Sequence, residues 1–124
     1  MKAAIVILSD PKAGTEEALG RLFNALASAY DFKQNGDDVT LLFQGAGTRW
    51  IGEVSKVEHP AHDLFEAIKG NVAGVSCGCA DVFGATEDVV KSGFDLIKDN
   101  NVPGTTGLPS LRNLIADGYQ VLTF

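Results

Sequence analysis

Short apolar segments that alternate with amphipathic segments are the feature that most limits how this chain can fold. Residues 3–8 form a continuous apolar run rich in β-branched side chains, which is typical of a strand covered on both faces. Leu19, Leu22, Phe23 and Leu26 then follow the spacing of one apolar helical stripe. Buried strands that alternate with such helices predict a parallel sheet with helices on both faces.

Capping residues and glycines set the boundaries of the predicted elements. Thr15 suits an N-cap, with Glu16 and Glu17 placed to complement the helix dipole, and Asn35-Gly36 is a natural helix end. Strands are predicted at residues 3–8, 39–43, 72–76 and 119–124, with a further strand beginning at Val102 despite Pro103 and Gly104. Helices are predicted from Thr15, around Trp50 to Val57, over 63–69, from Thr86 through Ile97, and from Pro109 or Ser110 to Gly118. Residues 77–85 are predicted to be a loop.

The chain of 124 residues is expected to form one domain over residues 1–124. Five strands in so short a chain fit a flavodoxin-like three-layer α/β sandwich with a mainly parallel sheet in the order 2-1-3-4-5.

Composition excludes several classes of function. Ten basic against 16 acidic residues give a net charge of −6, which disfavours a nucleic-acid surface. The longest apolar run is far too short to span a membrane, and no signal-type segment precedes the first strand. Two cysteines separated by one residue are not a secreted disulfide framework. We therefore expect an intracellular, cytoplasmic protein.

The two cysteines fall where this fold class usually binds ligands. In a 2-1-3-4-5 sheet the strand order reverses between the first and third strands, and ligands bind beyond their carboxyl ends. The loops there are residues 9–14 and 77–85, so Cys77 and Cys79 are expected at the rim of a cleft.

Cys77-Gly78-Cys79 has several chemical interpretations. In an extended segment both thiols would point to one side, and a disulfide across Gly78 would be strained and easily reduced. A helical turn opening at Ala80 would favour thiolate at Cys79, and Lys12 in the facing loop would add positive charge, although Asp10 and Asp81 oppose it.

Two other interpretations of the thiols stay open. They can be small buried hydrophobic side chains without reactivity. They can also be half of a Cu(I) or zinc site that His59 and His62 complete, although the spacings do not match those of zinc sites.

The remaining loops carry weaker signals. Residues 9–15 resemble a phosphate-binding turn, but Asp10, Glu16 and Glu17 would repel phosphate, which favours a plain strand-to-helix turn. Ser9, Lys12, Gly45, Gly47, Trp50 and Gly78 are predicted to line the site. A small-ligand or flavin module would use the same cleft, with Trp50 as a stacking wall.

Several segments together resemble the DsrE/DsrF/TusD-like sulfur-relay family. They are the apolar first strand, the helix ending at Asn35-Gly36, the Leu-Leu-Phe-Gln-Gly-Ala-Gly run at 41–47, the strand-to-cysteine step at 75–79, and the closing segment 111–124. Many members have Cys-Gly-x-Cys where this chain has Cys-Gly-Cys, and the basic residue often found beyond is replaced by Val82-Phe83-Gly84.

The resemblance implies a cysteine that carries persulfide sulfur between protein partners. By this resemblance Cys79 or Cys77 would accept sulfur from a donor protein and pass it to an acceptor protein, without a cofactor or metal. It also implies a homo-oligomer, as a trimer or hexamer. The alternatives are the flavin or small-ligand module and a non-catalytic oligomeric subunit with inert thiols.

Overall fold

Five parallel strands form one sheet, which the computed structural model describes together with all other residues of 1–124. The strands are β1 (Lys2–Ile7), β2 (Asp38–Phe43), β3 (Val72–Ser76), β4 (Leu96–Ile97) and β5 (Gln120–Thr123). The helices are α1 (Glu16–Gln34), α2 (Trp50–Val54), α3 (His62–Ile68), α4 (Cys77–Val82), α5 (Thr86–Lys91) and α6 (Leu111–Ala116). Short 3₁₀ turns lie at Pro11–Ala13, Gly45–Arg49 and Lys69–Asn71.

The α/β class and the parallel five-stranded sheet are confirmed, but the predicted strand order is wrong. The order is β4-β3-β2-β1-β5, with every neighbouring pair parallel. The chain steps in one direction from β1 to β4 and reverses only at the last crossover, which places β5 on the other side of β1. Hydrophobic periodicity shows which segments are strands but not their order in the sheet. The predicted order was therefore taken from the order that is common in this fold class.

This order changes where the predicted cleft can be. β2 lies between β1 and β3, so the loops that follow β1 and β3 do not flank one crevice. The reversal of strand order lies between β1 and β5 instead. The predicted rim between the first and third strands is occupied by the turn Gly45–Arg49, which contacts both the turn after β1 and α4.

The main core lies between one face of the sheet and helices α1, α2, α3 and α5. It is an apolar cluster built on alternate residues of β1 and β2, including Ile5, Ile7, Leu41 and Phe43, all fully buried. On the opposite face Leu42 is buried, and it lines a cavity of about 100 Å³ together with Pro109 and with Leu114 of α6. Burial on both faces explains why the strands read as continuous apolar runs.

The first helix follows its sequence signals closely. The hydroxyl of Thr15 accepts the N–H of Ala18 at 3.2 Å, which confirms the predicted N-cap. Asn35 ends the helix, and Gly36 takes a left-handed conformation with φ of 76°. Ser110 likewise caps α6, through the N–H of Asn113.

Four other predicted elements differ from the structure. The segment predicted as a loop at 77–85 begins with helix α4. The helix predicted to run through Ile97 ends at Lys91, and Ile97 belongs to β4, where it pairs with Ser76 of β3. Val102, predicted to begin a strand, lies in a loop. Val57, assigned to the helix after Trp50, lies beyond α2 and is 79% exposed.

Glycines explain the position of β4. Gly93, with φ of 79°, turns the chain after α5, and its N–H donates to the carbonyl of Val90. Gly74 leaves room for the incoming strand, because a Cβ there would lie 2.6 Å from the carbonyl oxygen of Asp95.

None of the helices is both long and apolar enough to cross a membrane.

Candidate functional site

Both cysteines lie in the first turn of α4, directly after the carboxyl end of β3. Ser76 is the N-cap residue, and its buried hydroxyl accepts the N–H of Cys79 at 3.2 Å. Gly78 and Ala80 are the buried residues of this helix, Gly78 against residues 105–108 and Ala80 in the main core. The segment is helical because Ser76 satisfies an otherwise unpaired N–H and because small residues allow the turn to pack closely.

The two thiols are free and partly buried. The segment is helical, so the expectation for an extended segment, with both thiols on one side, does not apply. Residues two positions apart on a helix do not face each other. The thiol of Cys77 accepts a hydrogen bond from the Thr106 hydroxyl at 3.4 Å, whereas no side chain hydrogen-bonds the sulfur of Cys79. A disulfide between them would require the first turn of α4 to open.

A segment that the sequence did not connect to the cysteines covers one side of this turn. We call residues 98–110 the covering loop. It is closed by two backbone hydrogen bonds between Asn100 and Leu108, at 2.8 and 3.0 Å. The N–H of Gly78 donates to the carbonyl of Gly107 at 2.7 Å. The loop therefore rests on the peptide between the two cysteines.

Gly78 lies between the two cysteines in α4, where a side chain would lack space. A Cβ at this position would lie 2.9 Å from Leu108 Cδ1 and 3.0 Å from the carbonyl oxygen of Gly107. Any larger residue between the cysteines would push the covering loop away from α4. The glycine of Cys-Gly-Cys is thus required by packing against this loop.

Arg49 links the far end of α4 to the turn after β1. Its Nε donates to the carbonyl of Phe83 at 3.1 Å, and its Nη1 lies 3.2 Å from both carboxylate oxygens of Asp10. The guanidinium also lies over the Phe83 ring, 5.4 Å from its centroid. The N–H of Phe83 in turn donates to the carbonyl of Cys79 at 2.9 Å. Arg49 thereby supplies a cation at the end of the cysteine helix, from a distant part of the sequence.

Ser9 and Trp50 are brought together, but inside the protein. The indole N–H of Trp50 donates to the carbonyl of Ser9 at 2.7 Å and reaches its hydroxyl at 3.2 Å. Trp50 is only 3% exposed. A buried indole whose N–H is already bound does not provide an open stacking wall, so the structure does not favour the flavin interpretation.

The predicted glycines of the second loop have a packing role. Gly47 lies against the end of β1, where a Cβ would come within 2.3 Å of the carbonyl oxygen of Ile7. Gly45 adopts φ of +57° beside Leu8. These close approaches hold the Gly45–Arg49 turn above β1 and so orient Arg49.

Lys12 lies in the turn after β1. It lines a depression of about 350 Å³ together with Arg49, Trp50 and His59. Neither cysteine lines this depression, so the predicted site residues divide into two groups that Arg49 connects. That Lys12 adds positive charge at the thiols stays a prediction.

The histidines do not complete a metal site with the cysteines. His59 packs edge-on against Trp50, with ring centroids 6.1 Å apart, and His62 Nδ1 contacts the carbonyl of Val54 at 2.7 Å. The structure contains no cluster of three or more His, Cys, Asp and Glu side chains suited to a metal ion. Burial lowers the pKa of His59 from its ordinary value.

Sequence reasoning missed Thr106, and it noted Arg49 beside Trp50 only as a residue that could line a pocket or an interface. Arg49 follows a glycine-rich turn that the sequence did single out, and its charge in a chain with few arginines was a usable signal. Nothing in the local sequence places Thr106 beside Cys77, because that contact depends on the path of the covering loop.

Comparisons with known proteins agree with the resemblance seen in the sequence. The chain is 26% identical over 101 residues to an uncharacterized protein of Methanocaldococcus jannaschii, an alignment covering 82% of this chain and 78% of the relative. No solved structure matches the chain. The model of the DsrE/DsrF-like family matches residues 1–124, the whole chain, and the chain therefore belongs to the DsrE/DsrF-like family.

Proposed function

We propose that this protein is a sulfur carrier in which a cysteine of α4 accepts sulfane sulfur as a persulfide and passes it to another protein. Membership in the DsrE/DsrF-like family supports a sulfur-relay-type function at the level of the family. The observation that carries the proposal is the position of two free, partly exposed thiols in one helical turn at the carboxyl edge of the sheet. This arrangement does not need the cleft predicted between the first and third strands.

Cys79 is the better candidate for the sulfur-carrying residue. Its sulfur has no hydrogen-bond partner, whereas the sulfur of Cys77 is held by Thr106. On the helix, Val82 and Phe83 lie three and four residues beyond Cys79 and therefore on its side. Val82 is 71% exposed, so an apolar patch beside the thiol is available to a protein partner.

The transfer consists of two displacements at sulfur. The thiolate of Cys79 attacks the outer sulfur of a donor persulfide, R–S–SH, forming Cys79–S–SH as the donor S–S bond breaks and R–S⁻ leaves. An acceptor thiolate then attacks the outer sulfur of Cys79–S–SH and releases the Cys79 thiolate. No net oxidation or reduction occurs, and the donor and acceptor thiols are the only co-reactants.

The proposal is tested by intact-mass analysis after incubation with a persulfide donor. We expect the wild type and Cys77→Ser to become one sulfur atom heavier, and Cys79→Ser to gain much less. Addition of an acceptor thiol should return the mass to that of the unmodified protein. Absence of an adduct on the wild-type protein would contradict the sulfur-carrier function.

The main alternative, a subunit with inert thiols, predicts a different result in a simple titration. Buried structural cysteines react with a thiol reagent only after unfolding, whereas a carrier thiol reacts in the native protein. The double variant Cys77→Ser/Cys79→Ser is the blank for both measurements.

We further propose that the protein forms a homo-oligomer and docks on donor and acceptor proteins through its acidic surface. β5 is an edge strand of the sheet, and its Gln-Val-Leu-Thr sequence carries no charge to discourage pairing. Ile115 in the adjacent α6 is 60% exposed and Leu122 is 38% exposed. A net charge of −6 favours basic partners. Light scattering of the wild type and of Leu122→Lys tests the self-association, which the lysine should abolish.

A further inference from the structure

We propose that the depression between the turn after β1, the first turn of α1 and helix α2 binds a small organic anion, a carboxylate or sulfonate with an apolar body. This binding site is separate from the cysteines and goes beyond the sulfur-carrier function. It rests on the shape of the depression, on its uncompensated charge and on a free hydrogen-bond donor.

The depression has a volume of about 350 Å³, which lies at the small end of the range for ligand sites. Leu19, Pro11 and the buried Trp50 form its apolar wall. Polar side chains complete it, from Lys12, Thr15, Arg49, Glu53 and His59. Polar and charged side chains outnumber the apolar ones in this lining, which suits a ligand that carries a charge.

Its charges favour an anion. Arg49 and Glu53, which both line the depression, are each compensated by an ion pair at 3.2 Å, with Asp10 and Lys56 respectively. Lys12 is the third charged lining residue, and its ammonium group makes no ion pair or hydrogen bond. The depression therefore carries one uncompensated positive charge, in a protein whose net charge is −6.

His59 adds a neutral donor to the same wall. Its Nδ1 accepts the N–H of Ala61 at 3.1 Å, so the hydrogen of the neutral ring is assigned to Nε2. Nε2 makes no hydrogen bond within the chain. The contact between the ring and Trp50 fixes its orientation. Lys12 and His59 can thus donate to a carboxylate whose apolar part rests on Leu19 and Pro11.

The test uses Trp50, the one tryptophan of the chain, as a fluorescent reporter in the wall of the site. The full-length protein is titrated with benzoate, benzyl alcohol and benzylammonium, which share a ring and differ in charge. We expect a saturable change in emission with benzoate, and binding at least roughly tenfold weaker for benzylammonium.

Variants separate a specific site from general adsorption. Lys12→Ala removes an exposed side chain and should weaken benzoate binding by roughly three- to tenfold. Lys91→Ala makes the same change of charge at an exposed lysine outside the depression, and should leave the titration unchanged. Equal binding of benzoate and benzylammonium, no saturable change with benzoate, or an equal effect of the two variants would each overturn the proposal.

The result is independent of sulfur transfer. Neither cysteine lines the depression, so Cys77→Ser/Cys79→Ser should bind benzoate as the wild type does. Loss of sulfur loading with intact benzoate binding, or the reverse, tells the two proposals apart.

Discussion

The amide of Gly78 donates to the carbonyl of Gly107 at 2.7 Å, and this hydrogen bond joins the cysteine-bearing turn of α4 to the covering loop. Because a Cβ on Gly78 would lie 2.9 Å from Leu108 and 3.0 Å from the Gly107 oxygen, the contact depends on glycine. The residue between the cysteines therefore controls how closely the loop covers them.

Gly78→Ala is expected to destabilise the protein. Overpacking of a closely packed position costs about 1–3 kcal/mol in the free energy of unfolding, which urea denaturation measures. Gly20→Ala is the matched control, since Gly20 lies inside α1 and a Cβ there would meet nothing within 4 Å. That substitution should stabilise by roughly 0.5–1 kcal/mol. Changes of the same sign at both positions would contradict the packing argument.

The two cysteines should differ in reactivity in the native protein. Thr106 and the covering loop lie on the side of Cys77, so brief alkylation followed by peptide mapping should label Cys79 first. After unfolding the two labels should be equal, because the loop contact is lost. Gly78→Ala, which displaces the loop, should narrow the native difference. Faster labelling of Cys77 in the wild type would contradict the choice of Cys79 as the sulfur-carrying residue.

Features that depend on neighbouring residues were predicted from the sequence, and features that depend on distant contacts were not. Thr15, Ser110 and Asn35-Gly36 were predicted correctly because caps and helix ends are determined by neighbouring residues. The strand order was not predicted correctly, because it depends on which strands pair after connections of many residues. The short β4 was missed since two residues carry too little periodicity to be recognised.

The candidate site was likewise predicted only where it depends on neighbouring residues. The position of Cys77 and Cys79 after β3 follows from the local strand pattern and was predicted. The helical form of that segment was not, because it depends on the Ser76 cap and on packing beneath the covering loop. The contacts of Arg49 with Asp10 and Phe83 join residues 39 and 34 positions apart, beyond the reach of sequence periodicity.

Arg49 should be more important for stability than the other paired arginine. Arg49→Ala removes the ion pair of Asp10, which keeps only its hydrogen bond from the N–H of Lys12, and leaves the Phe83 carbonyl without a partner. We expect a loss of about 1–2 kcal/mol in the free energy of unfolding. Arg49→Lys should rescue little, because one ammonium cannot reproduce both contacts of the guanidinium. Arg21→Ala breaks the exposed pair with Glu17 and should cost only about 0.3–0.5 kcal/mol. Urea denaturation of the three variants would refute the argument if Arg21→Ala were the most damaging.

Stability should depend on pH through His59. Burial lowers the pKa of His59 below its ordinary value of 6.5, and the nearby charges of Lys56 and His62 act in the same direction while Glu53 and Glu58 oppose it. The unfolded chain then binds a proton more readily than the folded one, so protonation favours unfolding. The stability linked to His59 is fully present above pH 6.5 and is lost as the pH falls through the lower, folded pKa.

The variant His59→Gln isolates this contribution. Glutamine does not titrate, so the free energy of unfolding of the variant should decrease less than that of the wild type as the pH falls through 6.5. The carboxylates are the same in both proteins, and their acid titration largely cancels in the difference. Chemical denaturation in a series of buffers gives the two curves. A constant offset between them across this range would mean that His59 is protonated equally in the folded and unfolded states, and that its burial against Trp50 has no electrostatic consequence.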